Sequence, residues 1–313
     1  MRAVVVPHFG GPEVLKVADM PVPDPWTGHV RIKVHAAAVN PTDLLLRSGA
    51  QRAYLEELEP PYIPGMDLAG VVDQIGSGVK NIRIGDQVMA PLSAWRPSGG
   101  AQAELVVVPQ TSVVPIPNGM SLIEASTLPM NALTVHNAYA MLALPAGSTV
   151  AVVGAGGAIG GLAVEMGRAL GLRVVAVAGE DDVDTVVSMG ADLVIPRSAY
   201  ASEAIREQTA GGVDGLIDAA RVGQPVLAAV RDEGHVVSLM PFSGSAERGI
   251  RVERVFVIDA LEDSRALSEI RDLANNKLLT ARVAETFEAD HVNDAHRLLE
   301  RRGVRGRPVI LFS

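Results

Sequence analysis

The residues best suited to chemistry are four glycines within the segment Gly154-Ala155-Gly156-Gly157-Ala158-Ile159-Gly160. An apolar run over residues 149–153 precedes the segment, a helical pattern follows it, and a second apolar run begins at Arg173. Glycines let a backbone turn tightly and approach a diphosphate, and the N–H groups at the start of the next helix bind anions. In this context the segment predicts dinucleotide binding, with a glycine-rich structural turn as the alternative. The expected loop contacts are Gly154, Gly157, Ala158, Ile159 and Gly160.

The composition excludes several other kinds of chemistry. None of the 313 residues is cysteine, which removes disulfides, a thiolate nucleophile, iron–sulfur clusters and cysteine-ligated zinc. The net charge is −9 and no basic cluster is visible, so a nucleic acid is not an expected partner. The apolar run from Ala3 to Val6 is too short for a signal peptide, and no later run is long enough to span a membrane. We therefore expect a soluble cytoplasmic protein with no membrane partner.

Two patterns divide the chain. Up to about residue 117, short apolar runs separated by Pro and Gly clusters predict a small, partly closed barrel or sandwich. These predicted strands cover residues 3–6, 30–34, 68–75, 87–90 and 103–108. From residue 149, apolar strands alternate with helices, which predicts a doubly wound parallel sheet covered on both faces. Its predicted strands cover residues 149–154, 173–178, 191–195, 215–219, 235–240 and 254–258, with a helix over 224–230.

After residue 258 the pattern changes again. A helix over 264–275, a strand near 283–287, a helix over 293–299 and a strand over 308–312 complete the chain, and we expect them to rejoin the N-terminal strands. The sequence thus predicts an α/β fold of two domains, in which residues 121–259 are inserted between residues 1–120 and 260–313.

Five ordered segments match the motifs of one enzyme family. They are VHAAAVNPTDLLLRSG (34–49), PYIPGMDLAGVVDQIGSGVKNIRIGDQVMA (61–90), GGAQAELVVVP (99–109), STLPMNALTVHNAY (126–139) and AHRLLERRGVRGRPVIL (295–311). On these motifs the chain resembles the zinc-independent, zeta-crystallin-like quinone oxidoreductases of the medium-chain dehydrogenase/reductase superfamily. The resemblance implies a mostly-β GroES-like domain carrying an inserted Rossmann domain. It also implies NAD(P)H-dependent hydride transfer to a quinone, an enone or another activated alkene.

The resemblance also implies that the chain holds no metal. Zinc-dependent relatives place a cysteine where Asn40 stands and a His-Glu pair where Met66 and Asp67 stand. They also insert a four-cysteine lobe where this chain has only the short stretch 92–100. Without thiolate or imidazole ligands at these positions, no tetrahedral zinc site is expected.

The residues expected near the nicotinamide and substrate follow from the same resemblance. Asn40 corresponds to a contact with the nicotinamide ribose, although an Asn that begins a turn is the alternative. Thr134 corresponds to a threonine near the nicotinamide, with a hydroxyl bonded within its own helix as the alternative. Many relatives carry a tyrosine where Leu45 stands, so we expect a more apolar pocket or a different substrate and assign no catalytic residue. Leu239 and Met240, at the predicted end of the fifth strand, are expected to line the nicotinamide pocket.

Three further polar residues have structural interpretations. Asp43 is expected to cap the helix that follows it. Asp67 is expected to hydrogen-bond nearby backbone or Arg47 rather than to act in catalysis. His136, a single histidine in a helical pattern, is expected to be structural.

The cofactor's adenosine end gives conflicting signals. The second predicted strand ends at Ala178 with no acid, and Gly179 follows, which leaves space for a 2′-phosphate. Asp182 stands where NADPH-using relatives carry a lysine, and the acids of residues 180–182 would repel a phosphate. The alternative is that these acids form a solvated helix N-terminus, where they suit the helix dipole. Arg197 falls where relatives place a phosphate-contacting tyrosine, and arginine grips phosphate well. We expect NADP(H) as the cofactor, with NAD(H) as the alternative.

The assembly and two alternative functions complete the expectations. The strand near residues 251–258 is expected to form the edge of the sheet and to pair in a homodimer. The first alternative function is an enoyl reductase of a biosynthetic pathway, which would use the same hydride step. The second is a dinucleotide-binding protein with little catalysis, in a structural or sensing role.

Overall fold

The computed structural model describes residues 1–301 and 303–312. The chain forms two compact units. The flanking unit contains residues 1–130, 258–275 and 281–313, and the central unit contains residues 131–257 and 276–280.

The strands and helices follow one another in an order close to the predicted one. The strands are β1 (Arg2–Val5), β2 (Lys16–Asp19), β3 (His29–Ala38), β4 (Asp67–Ile75), β5 (Gln87–Pro91), β6 (Leu105–Pro109), β7 (Val114–Pro115), β8 (Thr149–Val153), β9 (Arg173–Ala178), β10 (Leu193–Pro196), β11 (Val213–Asp218), β12 (Val230–Ser238), β13 (Arg251–Arg254), β14 (Val283–Glu288) and β15 (Arg307–Leu311). The α-helices are α1 (Pro41–Ser48), α2 (Leu122–Ala125), α3 (Pro129–Leu142), α4 (Ala158–Ala169), α5 (Val183–Ser188), α6 (Ala201–Gln208), α7 (Ser264–Asn275) and α8 (Val292–Glu300). Within the described part of the chain, no helix has both the length and the apolar character needed to cross a bilayer.

The flanking unit is built on a sheet in the order β14-β15-β3-β4-β5-β7, with β6 paired to β3. The unit has one apolar core, in which the side chains of Ile32, Leu68 and Ile310 are fully buried. Strand β15 pairs with β3, with Val309 opposite Ala38. The C-terminal segment therefore rejoins the N-terminal strands, as the sequence predicts.

The central unit is a six-stranded sheet in the order β10-β9-β8-β11-β12-β13, and every pair in it is parallel. Residues 174–178 of β9 are all buried, which explains why the sequence lacks the alternation of a half-exposed strand. The strand order is that of a doubly wound fold, in which ligands bind outside the carboxyl ends of the strands.

Three predicted elements of the central unit differ from the structure. The predicted strand 254–258 is wrong, because β13 pairs only from Arg251 to Arg254, where its neighbour β12 also ends at Ser238. Residues 224–230 do not form an α-helix; the segment Gln224–Ala229 is a 3-10 helix. Strand β12 ends before Leu239 and Met240, so these two residues lie just beyond the strand rather than in it.

The first boundary between the units lies after residue 130, whereas the sequence pattern placed it after residue 120. The reason is that α2 packs against β3, β4 and β5 of the flanking unit. A capping box stabilises the start of α2, since the backbone N–H of Ser121 donates to Glu124 Oε2 at 2.9 Å and Ser121 Oγ accepts from the N–H of Glu124 at 3.2 Å.

Candidate cofactor and active site

The glycine loop joins β8 to α4, and its backbone requires glycine at two positions, Gly154 and Gly160. Gly154 has a φ of 89°, a left-handed conformation that disfavours side chains. A Cβ added to Gly160 would lie 2.1 Å from the carbonyl oxygen of Gly154. The first turn of α4 therefore packs directly on the loop, as a dinucleotide-binding loop requires.

The start of α4 leaves space where a diphosphate would lie. Gly157 is the N-cap of the helix, and a Cβ added there would meet only the carbonyl oxygen of Gly154, at 3.4 Å. Ala158 and Ile159 follow in the first turn, where backbone N–H groups have no acceptor within the helix. The positive end of the helix dipole and these donors suit an anion, so the loop fits the diphosphate of a dinucleotide.

The second strand, β9, ends next to this loop and brings Asp182 toward it. A 3-10 turn over Glu180–Asp182 follows β9. A Cβ added to Gly156 would lie 2.5 Å from Oδ2 of Asp182, whereas the side chains of Glu180 and Asp181 are exposed to solvent. Of the three acids in this turn, Asp182 is therefore the one that faces the glycine loop.

Arg197 also lies at the carboxyl end of β9. Its backbone N–H donates to the carbonyl oxygen of Ala178 at 2.7 Å, which fixes it beside the end of β9. A Cβ added to Gly179 would lie 3.8 Å from Nη2 of Arg197 and 3.5 Å from Oδ2 of Asp182. The structure thus brings Gly179, Asp182 and Arg197 together around the carboxyl end of the second strand.

In the flanking unit, Asn40 belongs to a buried polar cluster. Its backbone N–H donates to Asp43 Oδ2 at 2.8 Å, and its side-chain Nδ2 donates to Asp67 Oδ1 at 2.8 Å. The other oxygen of Asp43 accepts the N–H of Gly65 at 2.8 Å, and the other oxygen of Asp67 accepts that of Met130 at 3.3 Å. These bonds fix the amide of Asn40, with Nδ2 toward Asp67 and the carbonyl oxygen Oδ1 on the opposite side.

The sheet topology explains why these residues meet. Asn40 follows the end of β3, Asp67 is the first residue of β4, and Arg307 is the first residue of β15. Because β3 pairs with both β4 and β15, the three strand ends lie side by side.

The cluster holds two buried carboxyl groups and one buried guanidinium. Burial raises the pKa of Asp67 to about 7, against the hydrogen bond from Asn40 and the charge of Arg307. Burial also raises the pKa of Asp43 to about 6, although the N–H groups of Asn40 and Gly65 donate to it. Burial lowers the pKa of Arg307 to about 10, so this guanidinium stays charged at neutral pH. One cation thus faces two acids, which favours a proton on the acid pair near neutral pH.

The structural roles expected for Asp43 and Asp67 are each confirmed in part. Asp43 is the third residue of α1, and the N-cap that precedes the helix is Asn40. The carboxylate of Asp43 accepts the N-cap N–H, so Asp43 helps to cap the helix from within its first turn. Asp67 accepts the backbone N–H of Met130, which confirms the backbone alternative of its expected hydrogen bond. The other alternative, Arg47, is wrong, because Arg47 instead contacts the Gly10 carbonyl oxygen, His296 and Glu300. Sequence reasoning missed Arg307, since the expected return of the C-terminal strand did not specify β3 as its neighbour or place Arg307 near Asp67.

The remaining candidates are Leu45 and Thr134, which lie on helices, and Leu239 and Met240, which lie just beyond β12. Leu45 is half-buried on α1, in the same unit as Asn40. In the central unit, Thr134 is nearly buried on α3, while Leu239 and Met240 are partly exposed after β12. The hydroxyl of Ser238 donates to the carbonyl oxygen of Met240 at 2.6 Å and so fixes this short segment.

The residues at the zinc-ligand positions do not fit a zinc ion. The amide nitrogen of Asn40 points at Asp67, and Met66 offers only a buried thioether. Residues 1–301 and 303–312 contain no group of three or more His, Cys, Asp or Glu side chains arranged to hold a metal. The donor set thus lacks the nitrogen and sulfur ligands that zinc prefers.

Two family descriptions match the chain. "Alcohol dehydrogenase GroES-like domain" matches residues 27–118, and "Zinc-binding dehydrogenase" matches residues 189–310. The second description names a metal that the side chains around Asn40 do not suit.

A relative of high coverage decides the family. The chloroplast envelope quinone oxidoreductase homolog of Arabidopsis thaliana is 31% identical over 248 residues, which cover 75% of this chain and 73% of the relative. The chain belongs to the medium-chain dehydrogenase/reductase superfamily, among the zeta-crystallin-like quinone oxidoreductases. This family assignment confirms the resemblance inferred from the sequence motifs.

A second curated protein and a solved structure are also similar to this chain, and they support the fold. The quinone oxidoreductase of Mus musculus is 34% identical over 206 residues, which cover 64% of this chain but only 57% of the relative. The solved structure of the quinone oxidoreductase from Coxiella burnetii has a TM-score of 0.87 and 27% identity, and the match covers 100% of this chain and 99% of that one. The predicted fold class, a GroES-like domain with an inserted Rossmann sheet, is thereby confirmed.

Proposed function

We propose that the chain is a zinc-independent, NAD(P)H-dependent oxidoreductase that reduces a quinone, an enone or another activated alkene. The observation that carries the proposal is the glycine loop, in which α4 packs on Gly154 while the space outside Gly157 stays open. Family membership supports the choice of a nicotinamide cofactor over other nucleotides. An electron-poor π system is the acceptor class that needs least help from protein acids.

The residues of the chain have binding and positioning roles in this proposal. The glycine loop and the first turn of α4 hold the diphosphate. Oδ1 of Asn40 accepts a hydrogen bond from a hydroxyl of the nicotinamide ribose, and Asp67 holds the amide in the orientation this requires. When bound, the reduced nicotinamide supplies the hydride.

The acceptor pocket is proposed to be apolar and to contain no essential protein acid. Leu45 stands where a tyrosine would otherwise donate a hydrogen bond, so it offers only an apolar surface. A quinone or enone fits such a wall, because position and exclusion of water are the main demands of direct hydride transfer. Thr134, Leu239 and Met240 are proposed to contact the nicotinamide.

We propose a homodimer formed through the edge strand β13. In the central sheet β13 pairs with β12 on one side and stands last in the strand order. An unpaired edge exposes N–H and C=O groups that a second copy of the chain can satisfy.

Oxidation of NADH and NADPH in the presence of an acceptor panel tests the proposed activity. The panel contains a quinone, an enone and an enoyl thioester, each measured against a reaction without acceptor. We expect acceptor-dependent oxidation with the quinone or the enone. Turnover restricted to the enoyl thioester would instead indicate the biosynthetic enoyl reductase. Cofactor binding without turnover on any acceptor would overturn the enzymatic proposal in favour of a binding protein.

A further inference from the structure

The flanking unit contains a cavity of about 270 Å³ between two of its loops. The loop that precedes β4 contributes Tyr62 and Ile63 to its lining, and the loop that follows β5 contributes Ala94 and Arg96. The two loops are joined, because the N–H of Gly100 donates to the carbonyl oxygen of Ile63 at 2.8 Å. Drug-sized ligands occupy sites of about 300–1,000 Å³, so this cavity suits a smaller molecule.

Arg96 contributes to this lining a guanidinium that has one nitrogen without an acceptor. Its Nε donates to the carbonyl oxygen of Gly99 at 2.8 Å, and its Nη1 donates to that of Val107 at 2.8 Å. Nη2 is covered and has no hydrogen-bond acceptor within residues 1–301 and 303–312. A covered donor without an acceptor destabilises the folded state, so a ligand that supplies the acceptor is favoured.

Arg96 also differs from the other buried arginines of this unit in the charges around it. Arg47 donates to Glu300, and Arg307 faces two buried acids. Burial lowers the pKa of Arg96 to about 10, and no carboxylate in the described part of the chain opposes this effect. The guanidinium therefore stays charged at neutral pH with only two neutral carbonyl groups as partners.

The lining residues give the cavity an apolar base and an acidic mouth. Ile63 and Ala94 are buried and Tyr62 is partly buried, whereas Glu57 and Glu59 are exposed. An anion that enters must pass these two carboxylates, which disfavours a ligand with two or more negative charges. A ligand with one negative charge meets less repulsion and can still pair with the guanidinium.

We propose that this cavity binds a small monocarboxylate with an apolar body, whose carboxylate accepts hydrogen bonds from Arg96. Nη2 thereby gains an acceptor, and a hydrogen bond between two charged groups is stronger than one between neutral groups. The apolar body packs against Tyr62, Ile63 and Ala94. The site needs no nicotinamide, so the inference goes beyond the proposed function and does not depend on it.

The bonds from Arg96 to Gly99 and Val107 also join its loop to β6, which is a structural role. If this role is the only one, a carboxylate has no advantage over the corresponding amide as a ligand. A comparison of an acid with its amide therefore separates a binding site from a structural contact.

Isothermal titration calorimetry of the full chain with hexanoate, hexanamide and adipate tests the site at neutral pH and one fixed ionic strength. We expect hexanoate to bind at least about tenfold more tightly than hexanamide, because the amide lacks the charge that pairs with Arg96. Adipate should bind about threefold more weakly than hexanoate, because its second carboxylate meets the exposed acids Glu57 and Glu59.

Three variants and one matched control locate the site. Arg96→Gln should weaken hexanoate binding at least about tenfold and change hexanamide binding less than about twofold. Leu58→Trp enlarges a lining side chain, leaves Arg96 in place and should weaken both ligands. Glu57→Gln should reduce the difference between adipate and hexanoate. The control Glu56→Gln removes an exposed charge that does not line the cavity and should leave that difference unchanged.

Equal affinities for hexanoate and hexanamide in the wild type, or no detectable binding of hexanoate, would overturn the site and leave Arg96 as a structural contact. Unchanged hexanoate affinity in folded Arg96→Gln would do the same. If Arg96→Gln does not fold, the wild-type comparison and Leu58→Trp still decide. None of these results changes the proposed function, which the acceptor panel tests separately.

Discussion

Nδ2 of Asn40 donates a 2.8 Å hydrogen bond to Oδ1 of Asp67, and both residues are almost completely buried. Zinc-dependent relatives place metal ligands at these two positions. In this chain a direct amide–carboxylate bond joins them, supported by the charge of Arg307. This hydrogen bond holds Nδ2 of Asn40 toward Asp67 and leaves Oδ1 as the acceptor end of the amide. Asp67 therefore orients the neutral amide of Asn40 instead of binding a metal.

Removing the carboxylate of Asp67 should destabilise the flanking unit. In Asp67→Ala the amide of Asn40 and the N–H of Met130 lose a buried acceptor, and the charge of Arg307 loses one of its two acids. We expect a loss of about 3–5 kcal/mol in the free energy of unfolding, measured by urea titration. Asp24→Ala is the control, because Asp24 is exposed and makes only a weak ion pair with Arg31. Equal losses in the two variants would contradict the structural role of Asp67.

The buried acid should also leave a signature in the pH dependence of stability. The folded pKa of Asp67, about 7, lies above the value of about 3.9 in an unfolded chain. Between these values the folded state binds more protons than the unfolded state, so this group lowers stability as the pH rises. Its greatest contribution is about 1.4 kcal/mol per pH unit.

The measurement compares how the free energy of unfolding changes with pH in the Asp67→Asn variant and in the wild type. From about pH 5 to about pH 7 this free energy should fall less steeply in the variant, by up to about 1.4 kcal/mol per pH unit. Burial lowers the pKa of His296 to about 3, which gives the opposite sign over part of this range in both proteins and therefore cancels in the difference. Asp24→Asn should retain the wild-type slope, and an unchanged slope in Asp67→Asn would show that Asp67 stays charged in the folded state.

Two glycines of the loop should respond differently to substitution. A side chain at Gly157 meets only the Gly154 carbonyl oxygen at 3.4 Å, but it fills the space proposed for the diphosphate. Gly157→Val should therefore weaken NADH binding by at least about tenfold while the melting temperature stays within a few degrees of the wild type. A Cβ at Gly160 overlaps the same carbonyl oxygen at 2.1 Å, so Gly160→Ala should lower the melting temperature itself. Wild-type cofactor affinity in folded Gly157→Val would mean that the loop is only a turn.

The purified protein should contain no stoichiometric zinc. The positions of Asn40 and Met66 offer an amide and a thioether in place of the thiolate and imidazole that zinc prefers. Elemental analysis should find far less than one zinc per chain, and chelators should leave the melting temperature and the activity unchanged. One tightly bound zinc per chain would contradict this reading of the cluster.

The edge strand β13 predicts the state of association. Because one side of β13 lacks a strand in the described sheet, light scattering at micromolar concentration should give the mass of a dimer. A monomer under those conditions would show that something other than a second copy satisfies this edge.

The features predictable from the sequence were those set by local pattern. The apolar strands of the central sheet and the glycine spacing between Gly154 and Gly160 are both local, and both define the dinucleotide-binding unit. The end of β13 was not predictable, because it depends on where its neighbour β12 ends rather than on its own apolar residues.

The partners within the candidate site were less accessible to sequence reasoning. The charge of Arg307 acts on Asp67 because β15 pairs with β3, and this register was not predictable although the return of the C-terminal segment was. The direction of Asp182 depends on a 3-10 turn that places one carboxylate inward and leaves its neighbours in solvent. Residue types in the sequence therefore predicted the kind of site. Which side chains lie next to one another in it depends on the tertiary structure.

Transfer of deuterium from a reduced cofactor labelled at C4 of the nicotinamide tests the central claim most directly. With an enone as acceptor, direct hydride transfer places the label on the β-carbon of the saturated product, where mass spectrometry and NMR detect it. We predict one deuterium per product molecule at that carbon, transferred from only one of the two hydrogen positions on C4 of the cofactor. A saturated product without the label, or no reduction of either the enone or a quinone while the cofactor remains bound, would contradict the account.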